Sequence, residues 1–355
     1  MPKRFLIIRL DEIGDYILTI PLIRELKKNF PDATVDMIVK HSIVNFVKAC
    51  PYTDCVQGAD LSRRKFYRNS KLIFRLLIQR LKYGRYDAVI LPRPAIDCTC
   101  ARLLGWLAGG KTLMAYHSSC SGPDKILPDT LLQTEVEHNV NAGLRFITRL
   151  GGQIYSDEVR SEDIIGEIPD PEKWKSLIQW APQKKYAFCS ICSFSKIRIW
   201  GKENFCELVK QVYNQTGYTT VFLGSADDVF DVEWIVAHAG ENCCYSLCGK
   251  TDLRDIPSVL QLGDFYYGAD TSTAHFSAAA GLPCVVLTPH GKGYSGWLSA
   301  ETRFHPWHVP YRVVNPEKNI APCDGECIIQ KPHCITMIKP AMVLDAIKDL
   351  LQKRA

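Results

Sequence analysis

A polar run at the end of a predicted strand holds the residues best suited to bind a charged group. Residues 265–267 predict a strand that runs toward Asp270, and Thr271, Ser272 and His275 follow at the start of a predicted small-residue helix. The free N–H groups and the dipole of a helix N-terminus favour a phosphate group. The same pattern fits an N-capped helix with a hydrophobic body, which is common in α/β folds. The residues alone leave both interpretations open.

A second polar cluster follows the strand predicted over residues 186–191. It contains Ser193, Lys196 and Arg198, and it precedes a helix predicted from residue 202. Cations at a strand exit can neutralise a diphosphate leaving group. An exposed basic loop anchored by Trp200 explains the same residues, and for this cluster taken alone it is the preferred interpretation.

A third candidate is Asp15, which follows Gly14 in the loop after the first predicted strand, residues 5–10. Glycine allows a close approach of backbone to ligand. A carboxylate at this place can act as a general base, or it can merely stabilise the start of a helix through the dipole. A lone Gly-Asp pair does not distinguish these roles.

Alternating strand and helix signals run through both halves of the chain and predict parallel sheets covered by helices. Such domains bind ligands outside the carboxyl ends of their strands. Two of them in tandem predict a site in a cleft between the domains. The predicted strands are residues 5–10, 33–39, 86–91, 186–191, 219–223, 265–267 and 283–287. The predicted helices are one that starts at residue 15 or 19 and ends near 30, then 98–107, 140–150, 202–216, 229–239, 257–262, 274–280 and 340–353.

The predicted domains are residues 1–160 and 175–338. The acidic, proline-containing segment 156–172 has the composition of a linker between them. We expect the amphipathic segment 339–355 to form a helix that packs back on the first domain.

Composition restricts the class of protein. The chain has 355 residues and a net charge of +5, and its apolar runs are shorter than the roughly 18 residues of a membrane span. Its start lacks the pattern of a signal peptide, so a cytoplasmic location is the default expectation. It contains 15 cysteines, and of these only Cys323, Cys327 and Cys334, with His333 adjacent, have a spacing that suggests metal ligation. A structural zinc site normally has four ligands at familiar spacing, and adjacent residues seldom both ligate one ion. We therefore expect reduced thiols packed in a loop, with neither a metal nor a cofactor.

Residues 61–86 contain nine basic residues and no acidic one. Phe66, Ile73, Phe74, Leu77 and Leu81 are spaced for an apolar stripe on a helix. Such a helix suits anionic lipid headgroups or a phosphorylated acceptor. A solvated helix that covers the sheet, or a nucleic-acid surface, remains open at this point. Arg63 and Arg64 of this segment, and Arg93 just beyond the predicted strand 86–91, are the candidates for binding such an acceptor.

Taken together, these clusters resemble glycosyltransferase family nine, the ADP-heptose:lipopolysaccharide heptosyltransferases. Each piece is weak, but their combined order and spacing are specific and extend over almost the whole chain. The matching segments are residues 9–10, 14–15, 19–21, 30–33, 138, 150–151, 198–200, 205–208, 247–253 and 270–283.

The resemblance implies a GT-B fold, with two Rossmann-like, doubly wound domains facing a central cleft, and an inverting sugar transfer that needs no metal. Asp15 matches the general base of the family, and Arg198 stands where the family usually has a phosphate-binding lysine. The implied donor is a nucleotide-diphosphate sugar, ADP-heptose, and the implied acceptor is lipid-linked, a lipopolysaccharide core. Peripheral association with the cytoplasmic face of the inner membrane then becomes the favoured interpretation of the basic segment, over nucleic acid. The implied donor-binding residues are Ser193, Lys196, Gly224, Asp270, Thr271, Ser272 and His275.

The chain departs from the family pattern at three places. The family's Asp-Thr-Gly-Pro-x-His is here residues 270–275 with Ser272, Thr273 and Ala274 inside it, the family lysine is Arg198, and Gly201 replaces a proline. Two alternatives follow: a GT-B transferase with another nucleotide-sugar donor or a non-lipid acceptor, and a non-catalytic module that binds a nucleotide or glycan.

Overall fold

The computed structural model describes residues 2–60, 67–94, 101–116, 136–191, 195–240, 242–296, 298–323, 329 and 331–353. Its internal contacts divide the chain into two compact units, residues 1–166 and 167–355. No helix in these ranges is long and apolar enough to cross a membrane.

The first unit is built on a five-stranded parallel sheet with the strand order β3-β2-β1-β4-β5. Strand order reverses at β1, so the edge beyond β1 and β4 is the switch point where such sheets bind ligands. The strands are β1 (Arg4–Arg9), β2 (Thr34–Lys40), β3 (Cys55–Ala59), β4 (Tyr86–Leu91) and β5 (Gly110–Ala115). The helices are α1 (Ile13–Ile17), α2 (Ile20–Asn29), α3 (Val44–Val47), α4 (Ser70–Tyr83), α5 (Ala101–Ala108), α6 (Asn139–Arg149) and α7 (Ser161–Ile165).

The second unit is built on a six-stranded parallel sheet with the order β11-β10-β9-β6-β7-β8. Here the order reverses around β6 and β9. The strands are β6 (Lys185–Ser190), β7 (Tyr218–Phe222), β8 (Cys244–Ser246), β9 (Phe265–Ala269), β10 (Cys284–Leu287) and β11 (Tyr311–Val314). The helices are α8 (Glu172–Leu177), α9 (Lys202–Thr216), α10 (Val229–Ala239), α11 (Ile256–Leu260), α12 (Ser272–Ala279) and α13 (Pro340–Gln352).

The central strands are buried on both faces, as expected for parallel strands covered by helices. All five residues of β9 are buried, although two of them are tyrosines. Their hydroxyl groups are satisfied inside the sheet: Tyr266 donates to the carbonyl oxygen of Ala269 at 2.8 Å, and Tyr267 shares a hydrogen bond with Thr220. The sheet therefore keeps polar side chains in its core at little cost.

The predicted first helix is two helices. α1 ends at Ile17, and α2 begins at Ile20 with Pro21 in its first turn. Proline has no N–H to donate, so it is tolerated at a helix start and breaks a continuing helix. The Thr19 hydroxyl donates to the main-chain oxygen of Asp15 at 2.7 Å and ties the two helices together.

The division between the two units, at residues 166 and 167, falls inside the segment 156–172 that the sequence predicts as a linker. Residues up to 166 fold into the first unit, where Arg24 of α2 is buried against them. Its guanidinium donates to the Asp163 carboxylate at 2.6 Å and to the carbonyl oxygens of Ser156 and Glu158 at 2.7 and 2.8 Å. The acidic composition that suggested a solvated linker includes the partner of a buried arginine.

The C-terminal helix packs differently from the expectation. α13 lies against α9, β10 and β11 of the second unit, and Val343, Leu344, Ile347 and Leu350 are buried in the core of that unit. Just before it, the carbonyl oxygen of Ile338 accepts a hydrogen bond from the indole of Trp200 at 2.9 Å. The apolar face that suggested docking on the first domain is thus buried within the second unit.

Candidate functional site

Asp270 stands at the carboxyl end of β9, and its main-chain N–H donates to Leu287 at the end of β10. Thr271 caps α12, with its hydroxyl oxygen accepting from the N–H of Thr273 at 3.3 Å. Ser272 lies partly buried in the first turn of α12, and His275 is buried one turn further along. The strand end and the helix N-terminus therefore come together as the sequence predicts.

Arg198 reaches this strand end from the 3-10 turn of residues 196–198. One atom, Nη1, lies 3.0 Å from the Asp270 carboxylate and donates to the Asp270 carbonyl oxygen at 3.0 Å. Asp270 is nearly fully buried, with 4% of its side chain exposed, and Arg198 is partly exposed. A buried carboxylate needs such a partner, because a charge out of water is otherwise costly.

The ends of β6 and β7 complete the same edge. The Ser190 hydroxyl donates to the carbonyl oxygen of Leu223 at 2.7 Å and lies 2.9 Å from the Thr273 hydroxyl. A side chain at Gly268 would place its Cβ 2.5 Å from the Ser190 carbonyl oxygen, and its φ of +147° lies in the region that favours glycine. Only a residue without a side chain allows β6 and β9 to approach this closely.

Gly224 follows β7 directly. A Cβ there would lie 2.5 Å from a carboxylate oxygen of Asp228, which accepts hydrogen bonds from the N–H of Ser225 at 2.6 Å and its hydroxyl at 3.0 Å. Asp227 is exposed on the same loop. Lys196 is exposed in the turn that carries Arg198, and Ser193 lies outside the described residues.

His290 is a functional candidate that the sequence analysis missed. It is buried on the loop after β10, where its imidazole interacts electrostatically with Arg198 and Asp270. Burial, and next the Arg198 cation, lower the pKa of His290 to about 4, while the Asp270 carboxylate opposes the shift. Its ring stacks on Tyr294 with 4.6 Å between centroids, and Nδ1 lies 3.3 Å from the Thr288 hydroxyl. Nε2 is buried and has no hydrogen-bond partner in the described part of the chain. The rule that found Asp270, a polar residue just after a buried strand, would have found His290.

The first-unit candidate, Asp15, lies in α1 just beyond the end of β1, and 20% of its side chain is exposed. One carboxylate oxygen accepts from Arg9 at 2.7 Å and from the Asn139 amide at 3.4 Å. The other accepts from the N–H of Glu12 at 3.3 Å. Three elements, β1, α1 and the start of α6, thus hold this carboxylate at the switch point of the sheet.

A second carboxylate, Asp11, shares this edge. It lies 3.1 Å from Arg9 Nε and forms an ion pair with Arg93. Burial raises the pKa of the Asp11 carboxyl, with Arg9 opposing the shift and Asp15 adding to it. Arg93, an acceptor candidate, therefore lies close to the Asp15 site, whereas Arg63 and Arg64 lie outside the described residues.

Comparison with known proteins indicates the class of enzyme. Residues 156–327 match the model of glycosyltransferase family 9 (heptosyltransferase). The match covers just under half of the chain and supports the suspected glycosyltransferase family nine. The chain is a glycosyltransferase, as the sequence analysis predicts.

Curated proteins similar to this chain include two from Escherichia coli. Lipopolysaccharide heptosyltransferase 3 of that organism is 23% identical over 282 residues, which span 77% of this chain and 80% of the relative. The protein of the same name from strain K12 is 24% identical over 285 residues, with 77% and 79% of the two chains covered.

Solved structures show the fold. A family 9 glycosyl transferase from Veillonella parvula superposes with a TM-score of 0.76 at 19% identity and covers 99% of this chain and 98% of its own. ADP-heptose lps heptosyltransferase II of E. coli gives 0.70 at 18% identity, with 99% and 100% covered. The E. coli heptosyltransferase WaaC with ADP gives 0.68 at 16% identity, with the same coverage. The predicted GT-B class, with two Rossmann-like domains, is confirmed.

Proposed function

We propose that this glycosyltransferase moves heptose from ADP-heptose onto a lipopolysaccharide core-type acceptor, with inversion at the anomeric carbon and no metal in the transfer step. The observation that carries the proposal is the Arg198–Asp270 pair, which stands beside the N-terminus of α12. The names of the relatives support the sugar and the acceptor: both curated relatives are lipopolysaccharide heptosyltransferases. One of the solved structures is a complex with ADP.

In this proposal the second unit binds the donor. Asp270 uses Nη1 of Arg198, whereas Nε is buried and makes no hydrogen bond to any described residue. An anionic oxygen of the donor diphosphate would accept from it, since a buried donor without an acceptor is costly. Lys196 would add positive charge. Thr271, Ser272 and His275 would donate to the diphosphate or the sugar, and Gly224 would let the nucleotide approach the end of β7.

Asp15 is the proposed general base. Its contacts to Arg9 and Asn139 hold one carboxylate oxygen, and the other, which accepts from the N–H of Glu12, would take the proton of an incoming hydroxyl. The acceptor hydroxyl transfers its proton to Asp15 as its oxygen bonds to the anomeric carbon. The bond from that carbon to the diphosphate oxygen breaks on the opposite side, and ADP leaves with the electron pair. Arg198 and Lys196 stabilise the negative charge that develops on the leaving group.

The first unit also carries the proposed acceptor and membrane surface. α4 buries Leu72 and Leu76 in the core of the unit, as the alternative of a helix that covers the sheet requires. It also leaves an apolar stripe exposed at helical spacing, formed by Phe74, Leu77, Ile78 and Leu81.

Cations flank this stripe, and the helix contains no acidic residue. Exposed apolar side chains between cations match the headgroup region of an anionic bilayer. A solvated helix would have no reason to expose leucine and phenylalanine. We therefore propose that the enzyme works at the cytoplasmic face of the inner membrane, where Arg93 contributes to recognition of a phosphorylated acceptor.

A different donor is the second candidate, and one observation favours it. Thr273 replaces the proline-containing turn of the family pattern, and its hydroxyl lies 2.9 Å from Ser190. This contact alters the hydrogen-bonding groups beside the first turn of α12. A sugar other than heptose would be selected there.

A panel of nucleotides and nucleotide sugars tests the proposal. We expect ADP and ADP-heptose to raise the melting temperature, UDP and GDP to leave it unchanged, and ADP-heptose to be slowly hydrolysed. Stabilisation by UDP or GDP, with no stabilisation by ADP, would show that the donor carries a nucleotide other than ADP. A lack of response to every compound would favour a module without turnover.

A further inference from the structure

Three potential metal ligands meet in the second unit, away from the residues assigned to transfer. Cys323 precedes a segment that the structure does not describe, and His333 and Cys334 stand at the start of the 3-10 turn of residues 334–337. Cys323 Sγ lies 3.9 Å from His333 Nδ1, and Cys334 Sγ lies 3.5 Å from the same nitrogen. All three ligand atoms lie within 4.8 Å of one another.

These separations agree with one tetrahedral ion. With Zn–S near 2.3 Å and Zn–N near 2.05 Å, tetrahedral geometry places sulfur about 3.5 Å from nitrogen and about 3.8 Å from a second sulfur. The two sulfur–nitrogen distances, 3.9 and 3.5 Å, lie close to the first value.

The sequence analysis set this group aside because His333 and Cys334 are adjacent. The backbone of His333, with φ −141° and ψ −86°, turns so that its ring nitrogen and the next sulfur point to the same place. Adjacent residues can therefore both face one ion here.

The surroundings of Cys334 also suit a thiolate ligand. The main-chain N–H of Ile320 points at Cys334 Sγ from 3.3 Å, which is the contact that stabilises negative charge on a metal-bound sulfur. Both cysteines are buried.

We propose that Cys323, His333 and Cys334 bind one zinc or iron ion in a structural site that joins the loop at residues 320–323 to the turn before α13. Thiolate and imidazole ligands select these metals over magnesium or calcium. Two chain segments 10 residues apart would then be held by one ion, next to the carbonyl of Ile338 that anchors Trp200. This role is structural and separate from sugar transfer, which the proposed mechanism carries out without a metal.

Metal content of the purified full chain tests the site directly. The protein is prepared without an affinity tag that binds metal, and zinc and iron are measured by mass spectrometry of the elements. We expect about one ion per chain, falling at least fivefold in Cys334→Ser and His333→Ala. The control variants Cys55→Ser and His238→Ala remove a cysteine and a histidine elsewhere and should keep the full content. Loss of metal in the controls as well, or no metal in the wild-type chain even after incubation with Zn²⁺ and Fe²⁺, would overturn the proposal.

A measurement on the wild-type chain covers the case in which a ligand variant does not fold. Modification of the thiols with a mercurial reagent should release one metal ion per chain, detected with a chromogenic chelator. A strong chelator should lower the melting temperature by several degrees while ADP binding by the refilled protein is unchanged. A Cys323–Cys334 disulfide found by mass spectrometry of the freshly purified protein would instead exclude the metal.

Discussion

A single nitrogen of Arg198 contacts both the carboxylate and the main-chain oxygen of Asp270, at 3.0 Å each. The side chain is therefore fixed by its neighbour's backbone as well as by charge. This double contact holds Nη1 against Asp270, although 20% of the Arg198 side chain is exposed. A cation held in this way costs little reorganisation when negative charge develops beside it.

Removing Arg198 should weaken donor binding and destabilise the second unit together. A hydrogen bond to a charged group contributes about 1.5–3 kcal/mol, so we expect Arg198→Ala to raise the dissociation constant of ADP roughly 10- to 100-fold. The unfolding free energy should also fall by about 3 kcal/mol, because the buried Asp270 carboxylate loses its partner.

Arg198→Lys should show smaller effects on both quantities. Calorimetric titration with ADP and urea unfolding measure them. Lys202→Ala, which removes a cation from a surface pair with Asp231, serves as the control. Unchanged ADP binding by Arg198→Ala would remove this residue from the donor site.

Replacing Asp15 should affect the chemical step alone. A positioned general base contributes about 100- to 10,000-fold to the rate, so we expect kcat of Asp15→Ala to fall by at least 100-fold, with donor affinity unchanged. Asp87→Asn removes a carboxylate that pairs with Lys111 on the surface and should retain activity. Turnover is followed by release of ADP in the presence of acceptor. Near-normal turnover in Asp15→Ala would show that another group is the base.

His290 should make the protein less stable as the pH falls. Its folded-state pKa of about 4 lies below its ordinary value of 6.5, so the unfolded chain binds a proton that the folded chain does not. Stability is then fully present above pH 6.5 and is lost progressively down to about pH 4. The expected loss is about 2 kcal/mol between pH 7 and pH 5.

Urea unfolding at several pH values tests this dependence. In His290→Gln, the difference in unfolding free energy between pH 7 and pH 5 should be smaller than in the wild type by this same amount, about 2 kcal/mol. It should remain in His238→Gln, which alters an exposed histidine of α10. An identical pH dependence in wild type and His290→Gln would contradict the assignment.

The exposed stripe of α4 should control binding to vesicles. Phe74 and Leu81 have 65% and 87% of their surface exposed, and burying such side chains in a bilayer contributes about 1.5–3 kcal/mol each. We expect the double variant Phe74→Ser and Leu81→Ser to bind phosphatidylglycerol vesicles at least tenfold more weakly, in a sedimentation assay. Phe230→Ser, at a similarly exposed position of the second unit, is the matched control. If the double variant bound as tightly as the wild type, or if the wild type bound neutral vesicles as tightly as anionic ones, the α4 stripe would not be the membrane-binding surface.

The four strands that the sequence analysis does not predict, β3, β5, β8 and β11, are the edge strands of the two sheets. Each has at least two residues that are not buried, whereas the central strands β1 and β9 are almost wholly buried. A continuous apolar run in the sequence indicates a fully buried strand. An edge strand has a neighbouring strand on one side only and is less buried, so its sequence lacks such a run. The short helices α3, α7 and α8 escaped prediction as well.

The candidate site was predictable in parts and not in its assembly. Asp270 and the start of α12 could be found because one strand ends directly before them. Asp270 pairs with Arg198, which lies 72 residues earlier in the chain. This pairing requires β6 and β9 to be neighbours in the sheet, and no local sequence pattern predicts that. Asp163 was misread as part of a solvated linker for the same reason: its partner Arg24 lies 139 residues away.

That separation has a consequence for the order in which the protein is made. The ribosome delivers the five strands of the first sheet before it delivers residues 156–163, so Arg24 emerges with Glu25 but long before Asp163 and the carbonyl groups of Ser156 and Glu158. Until then most of the guanidinium lacks its protein partners, and closure of the nascent domain over this cation is costly. A fragment that stops before Ser156 would retain that defect permanently. Translation thus has to continue through Asp163 before the first unit can become a finished domain.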